Sequence, residues 1–360
     1  MKKNILLATT FSLFFSLSSY ASNAPITVSG YSTVGYIQTA SGEYNEVDKN
    51  NGVDKKGSFD DQTEMGIGFE TDNKKTLSVF SSFNFSNRED GSDRLYSSIE
   101  SLALTFNLDN MFKVDIGRML VPMYLDNDST SLEPTSVYDQ LPFDSYNGMA
   151  VTSASYPIYG AQIVTKAFVG QNNFDYKGNK INAKWLAGFN SVIYSYDWEL
   201  NLSYVKSVFT DTTLTSNSNS SRNINENEPA YNFSLGASYD AGRTFFNAEY
   251  ASRGIADATS YPTLMGFYVT SGYHLDNFSP YTIIQLQATD PKDKEAGMSS
   301  DFSSIGLGFE YLVDNLSFKS EISNFMFDKD STYGYATLLN GFDASQKSVT
   351  VFTANFTIEF

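Results

Sequence analysis

The 360-residue chain carries one histidine and no cysteine, so little of its side-chain inventory can do covalent chemistry. His274 sits between Tyr273 and Leu275 at an expected strand end. A hydrolase of the Ser/His/acid kind needs its histidine beside a serine, and no motif of that kind surrounds this one. It reads as an interfacial side chain, and the chain as a non-enzyme. Imidazole- and thiolate-rich metal centres are excluded by inventory, and neither a metal nor a cofactor is expected. Carboxylates are abundant, with 41 Asp and Glu against 24 Lys and Arg. The one stretch resembling a calcium loop, Asp48-Lys49-Asn50-Asn51-Gly52, lacks the spaced acids such loops use. Gly66-Ile67-Gly68 is strand alternation, since no helix follows it. What remains is electrostatics. Asp126, Asp128, Glu133, Asp139 and Asp144 fall in a stretch with no Lys or Arg between Met119 and Gly148. Lys113, Asp115, Arg118, Arg88 and Arg94 lie on neighbouring segments and could face it. Acid opposed to base across a confined passage sets up a transverse field and acts as a charge filter.

The elements that would position these charges are short strands. Tyr231, Phe233, Leu235, Ala237 and Tyr239 alternate with Asn232, Ser234, Gly236 and Ser238. Ile305, Leu307, Phe309 and Tyr311 alternate with Gly306, Gly308 and Glu310, and Leu102, Leu104, Phe106 and Leu108 with Ala103, Thr105 and Asn107. In a strand the two parities are opposite faces, here one apolar and one small or polar. Nearly every segment has such an apolar face, and no second class of element is available to cover it. The pattern predicts an all-β, antiparallel up-and-down transmembrane barrel, with hydrocarbon outside and water within. About sixteen strands are expected, near 26–39, 62–72, 75–87, 95–108, 111–119, 148–156, 160–169, 183–195, 198–209, 230–240, 243–253, 263–274, 278–289, 302–312, 315–326 and 348–360. Links after even strands are tight turns such as Asp109-Asn110, Tyr196-Asp197 and Asp240-Ala241-Gly242. Links after odd strands are longer and polar: 40–61, 120–147, 170–182, 210–229, 290–301 and 327–347. Short periplasmic turns opposite long extracellular loops are expected of an outer-membrane barrel, whereas a Greek-key sandwich would not keep that rhythm.

The N-terminal stretch stands apart. Lys2 and Lys3 precede an apolar run from Ile5 to Leu17, and Ser19-Tyr20-Ala21 offers small residues at −3 and −1. Residues 1–21 read as a secretory signal peptide, leaving 22–360 as the barrel domain. Losing both lysines makes the mature chain two units more negative than the formal −17, which argues against nucleic acid as a partner.

Two segments resemble a known family. Phe356, Ile358 and Phe360, alternating at the C-terminus, look like the signal read by the barrel-assembly machinery. Asn355 stands here at a position usually held by Gly. The segment GRMLVPMYLDNDSTSLEPTSVYDQLPFDSYNGMAV, from Gly117 to Val151, resembles Gram-negative porins in its Gly117-Arg118, Pro122, Tyr124, Val137-Tyr138, Gln140, Pro142 and Tyr146-Asn147-Gly148. The resemblance implies a sixteen-stranded general diffusion porin, a homotrimer, whose third loop (about 120–147) folds into the barrel. It also implies an inward Arg118. Parity disagrees, because Arg118 shares a face with Phe112, Val114 and Ile116, and near the bilayer midplane a lipid-facing Arg would cost roughly 2–4 kcal/mol. A strand-end position or a bulge would reconcile the two.

The expected function is passive diffusion of small hydrophilic solutes and ions through the outer membrane of a Gram-negative bacterium. The inward-parity charges Glu64, Glu70, Glu199, Glu249, Glu310, Lys319 and Glu321 are mostly acidic, which predicts a weak cation preference. Outer-membrane lipid and lipopolysaccharide are the expected surroundings. Two alternatives stand beside this reading. A substrate-preferring channel would use Tyr124, Tyr138, Phe143 and Tyr146 as a stacking track. A surface adhesion barrel would have a plugged lumen.

Overall fold

The computed structural model describes residues 26–39, 63–71, 77–87, 95–109, 111–125, 145–176, 179–209, 212–215, 221–224, 229–255, 263–295, 299, 301–328 and 348–360. The leader expected at 1–21 and most of the long links lie outside them.

Alternation becomes strand as expected. The first nine strands are β1 (Ile26–Thr39), β2 (Glu64–Thr71), β3 (Leu77–Asn87), β4 (Leu95–Asn107), β5 (Phe112–Leu120), β6 (Ser145–Ala154), β7 (Gln162–Tyr176), β8 (Asn179–Tyr194) and β9 (Trp198–Phe209). A small separate hairpin follows, β10 (Thr212–Thr215) with β11 (Ser221–Ile224). The wall resumes with β12 (Pro229–Asp240), β13 (Thr244–Ile255), β14 (Leu264–Tyr273) and β15 (Phe278–Thr289). After the one-turn helix α1 (Pro291–Glu295) come β16 (Phe302–Val313), β17 (Leu316–Phe327) and β18 (Ser348–Glu359). Every strand of the wall pairs antiparallel with its sequence neighbour, and β9 pairs with β12 across the hairpin. Pairing of β1 with β18 closes a barrel of 16 strands, which leaves no sheet edge. Phe360 extends that seam, exchanging two 2.9 Å backbone hydrogen bonds with Gly30.

The structure departs from expectation at 170–182. The sequence reads as a polar loop, but β7 runs on to Tyr176 and β8 starts at Asn179. The register slips once on each strand, between Gly170 and Asn172 and between Ala183 and Trp185. Each bulge absorbs a residue and hides the alternation from a period-2 reading.

The short turns have local causes. Asp109 accepts hydrogen bonds from the amides of Met111 and Phe112, both at 2.7 Å, and Asp240 does the same for Gly242. Asp276 and Asp314 take φ of 52°, a left-handed conformation that Asp tolerates better than most residues.

Burial is inside-out relative to a water-soluble protein. On β9, Leu200, Leu202 and Tyr204 are exposed, whereas Asn201 and Ser203 are buried at 2% and 0%. The same exposed apolar belt continues through Ile116, Val169, Leu235, Phe246, Ile284, Leu307 and Phe356. Apolar area of that extent requires hydrocarbon around it. Among the described residues no helix is long and apolar enough to cross a membrane, which says nothing against crossing by strands.

Candidate functional site in the barrel lumen

The inner face of the wall is where polar groups converge, and the first residues after β5 run into it. Met123 and Leu125 are buried at 1% and 3%. The contacts are made largely by main chain. Asn201 Nδ2 donates to Tyr124 O at 2.8 Å, and Ser203 Oγ to Pro122 O at 3.3 Å. Ser234 Oγ donates to Met123 O at 2.8 Å. In the other direction Leu125 N donates to Glu249 Oε1 at 3.2 Å, an oxygen that also accepts from Ser234 Oγ at 2.9 Å. The root of this link is therefore gripped by inward side chains of β9, β12 and β13. Leu125 lies flat on β12 because position 236 is glycine: a Cβ there would meet Leu125 Cδ1 at 2.7 Å.

The other side of the root is apolar. Met119, Met123, Tyr146, Phe168, Leu186, Val205 and Phe209 form one buried cluster inside the barrel, with Val121 and Tyr124 against it. A row of glycines, Gly117, Gly148 and Gly170, stands in register across β5, β6 and β7 and makes room for it. Gly117 has φ of 143°, and a Cβ would strike Leu102 O and come within 2.8 Å of Ala103 Cα. Tyr146 is 0% exposed, with its ring 5.1 Å from Phe168 and its hydroxyl 3.7 Å from Met119 Sδ. Tyr124 and Tyr146 thus pack the root against the wall. The other two members of the expected stacking track, Tyr138 and Phe143, lie outside the described residues.

Charged groups stand on the inner face at several points of the wall. Asp115, 1% exposed, accepts from Thr105 Oγ1 at 2.6 Å and faces Lys166 Nζ at 3.8 Å. Lys113 shares its inward parity two residues away. On the opposite arc Glu310 and Lys319 pair at 3.6 Å, and Glu310 also accepts from Ser317 Oγ at 2.9 Å. Glu321, 5% exposed, accepts from Tyr281 OH at 3.1 Å and from Ser323 Oγ at 2.5 Å. Glu64 lies 3.4 Å from Asn84 Nδ2. Glu70 and Glu199 hold the same inward parity on β2 and β9.

Arg118 requires a correction. It pairs in register with Leu102 of β4 and with Asn147 of β6, and Leu102 and Ile116 on that face are exposed apolar residues. Its Nε donates to Ile99 O at 2.7 Å. The side chain is on the outer face of the barrel, because the strand keeps strict alternation through Gly117 to Met119 and no bulge turns it. It is not a lumen residue. Asp126, Asp128, Glu133, Asp139, Asp144, Arg88 and Arg94 lie outside the described residues.

Sequence reasoning missed Lys166 and Arg253, both of inward parity. Lys166 was hidden because its inward neighbours Val164 and Phe168 are apolar, so that β7 shows no clean alternation. It also missed the surroundings of His274. The ring lies 4.8 Å from that of Phe245, with Nδ1 2.9 Å from Ser279 Oγ and Nε2 3.4 Å from Asp240 Oδ2. Strand pairing brings these residues together from β12, β13, the end of β14 and β15. Among the described residues no group of three or more His, Cys, Asp or Glu is placed to hold a metal ion.

No protein-family model matches the sequence, and no curated protein does. Solved structures do match. OmpF of Salmonella typhi, in complex with daunomycin, superposes with a TM-score of 0.63 at 15% identity, over 93% of this chain and 97% of that one. The fold is that of the outer-membrane porins. The anion-selective porin from Comamonas acidovorans gives 0.57 at 11% identity, over 93% and 99% of the two chains. OmpT, an outer membrane protein of Vibrio cholerae, gives 0.55 in its trimer form at 12% identity, over 94% and 100%.

Proposed function

We propose that the barrel is a water-filled channel of the Gram-negative outer membrane, passing small hydrophilic solutes and ions by passive diffusion. The observation that carries this is the inside-out wall: apolar side chains ring the outside, polar and charged ones line the lumen, and residues 121–125 dock on that inner face. On this reading the chain crosses the inner membrane by way of a cleaved leader at 1–21, and the barrel puts its short turns on the periplasmic side and its long loops toward lipopolysaccharide. Phe356, Ile358 and Phe360 present themselves to the barrel-assembly machinery along the closing seam. The protein works as a homotrimer; OmpT of Vibrio cholerae, which shares the fold, is known in a trimer form.

Ion preference is weakly cationic. Inward carboxylates at Glu64, Glu70, Asp115, Glu199, Glu249, Glu310 and Glu321 exceed the inward Lys113, Lys166, Arg253 and Lys319. The reading counts the acids Asp126, Asp128, Glu133, Asp139 and Asp144 toward that potential, with Arg88 and Arg94 as their basic counterparts. The fold itself does not dictate the sign, since an anion-selective porin shares it. Single-channel recording in a planar bilayer under a salt gradient tests the proposal. Open steps in multiples of three with a reversal potential on the cation side are expected. Correctly folded protein without steps would overturn the channel, and an anion-side potential would overturn the charge assignment alone.

A further inference from the structure

The only histidine of the chain lies on the inner side of the short-turn rim, in a setting that a channel wall does not require. Its ring is fixed twice: on one face by Phe245, 4% exposed, and at Nδ1 by Ser279 Oγ at 2.9 Å. With Nδ1–H donating to Ser279, Nε2 is left with a lone pair and lies 3.4 Å from Asp240 Oδ2. The 3.4 Å between those atoms is long for a hydrogen bond, and an imidazolium–carboxylate contact closes to roughly 2.7–2.9 Å. It is the spacing of two ligand atoms on one metal: bonds of about 2.05 Å in tetrahedral geometry hold neighbouring donors about 3.3 Å apart. A hydrogen bond from the second ring nitrogen, fixing tautomer and orientation, is what metal-ligating histidines normally have. The two donor groups are open to water, with side-chain exposures of 29% for His274 and 57% for Asp240, so an ion can reach them and keep solvent in its other positions.

We propose that His274 and Asp240 form a two-ligand site for a borderline divalent cation, of which Zn²⁺ is the type, at the short-turn mouth of the lumen. Imidazole with carboxylate suits Zn²⁺, Cu²⁺ or Ni²⁺ and not Ca²⁺ or Mg²⁺, which take oxygen ligands. The same three residues also fit the inventory of a serine hydrolase, but Glu310 stands opposite Ser279 in the β15–β16 register. Its carboxylate, paired with Lys319 at 3.6 Å, is an acceptor where an oxyanion would need donors. The inference rests on the channel reading only for its location in a lumen; the binding itself does not require conduction.

The test uses untagged full-length protein in detergent, labelled with ¹⁵N-histidine, so that every imidazole signal comes from residue 274. Addition of ZnCl₂ shifts the Nε2 resonance, and equal MgCl₂ does not. Ser279→Ala and Asp240→Asn each raise the half-saturating Zn²⁺ concentration about tenfold, the lower end of what loss of a supporting or ligating group costs. Conductance steps recorded in the same preparations report separately on the channel. An Nε2 signal indifferent to millimolar Zn²⁺, or a titration unchanged in Asp240→Asn, overturns the site even if the pore conducts normally.

Discussion

Glu249 is the residue on which the inward docking of 121–125 turns, and Glu249→Ala states that in a measurable way. Its carboxylate accepts the only hydrogen bond described for the buried amide of Leu125, and shares Ser234 with the carbonyl of Met123. Truncation strands that amide inside the barrel, which costs about 2 kcal/mol for a buried donor left without its acceptor. The three bonds to the carbonyls of Pro122, Met123 and Tyr124 survive, so the root stays docked on average. Its undocked population rises by about 30-fold, the equivalent of 2 kcal/mol. The chain has no cysteine, so a Leu125→Cys background supplies a single thiol. Leu125 is 3% exposed, and a water-soluble methanethiosulfonate reaches position 125 only through undocking. When redocking is faster than modification, the labelling rate tracks the open population. Adding Glu249→Ala should therefore accelerate labelling about 30-fold, while Glu249→Gln, which keeps an accepting oxygen, should accelerate it by no more than about fivefold. Fast labelling without the second substitution would show that the root is not held. An unchanged rate in Glu249→Ala would show that the carboxylate does not hold it.

Other substitutions probe the wall. Asp115→Asn leaves Lys166 without its inward carboxylate and should move the reversal potential toward anions; Lys166→Gln should move it toward cations, and equal shifts in one direction would exclude an electrostatic origin. Arg118→Gln should leave conductance and selectivity unchanged, because the side chain is on the outer face; a changed single-channel conductance would return it to the lumen. Deleting Phe360 removes two backbone hydrogen bonds at the seam, worth about 1 kcal/mol each, and should lower the yield of heat-modifiable barrel in cells while sparing conductance of the molecules that assemble.

The strands were legible where one face is uniformly apolar and the other uniformly small or polar. On β9, β12, β15 and β16 the expected limits agree with the structure to within one residue. Legibility fails where an inward residue is itself apolar. Phe168 and Leu186 belong to the buried cluster inside the barrel, and with the bulges at 170–172 and 183–185 they erase the period-2 signal that would have carried β7 and β8 outward. Arg118 shows the opposite case. Parity put it outside and a motif put it inside, and the register with Leu102 decides for parity. His274 was illegible for another reason. Asp240 and Ser279 are brought to it by pairing between strands, and no spacing along the chain records that.

The inside-out wall also explains why the link after β5 is held the way it is. A barrel of 16 strands encloses more space than its own side chains fill, and a lumen lined with Asn, Ser and Thr offers hydrogen bonds but little apolar area. A segment crossing it must satisfy its own amides and carbonyls, since a buried unpaired peptide group is costly. Residues 121–125 meet both conditions at once. The carbonyls of Pro122, Met123 and Tyr124 and the amide of Leu125 bond to Ser203, Ser234, Asn201 and Glu249 on β9, β12 and β13. Met123 and Val121 join the apolar patch of β5 to β9. The grip depends on wall residues more than on the identity of the link. Substitutions at Pro122 and Tyr124 that keep backbone geometry should then be tolerated better than loss of Ser234 or Glu249.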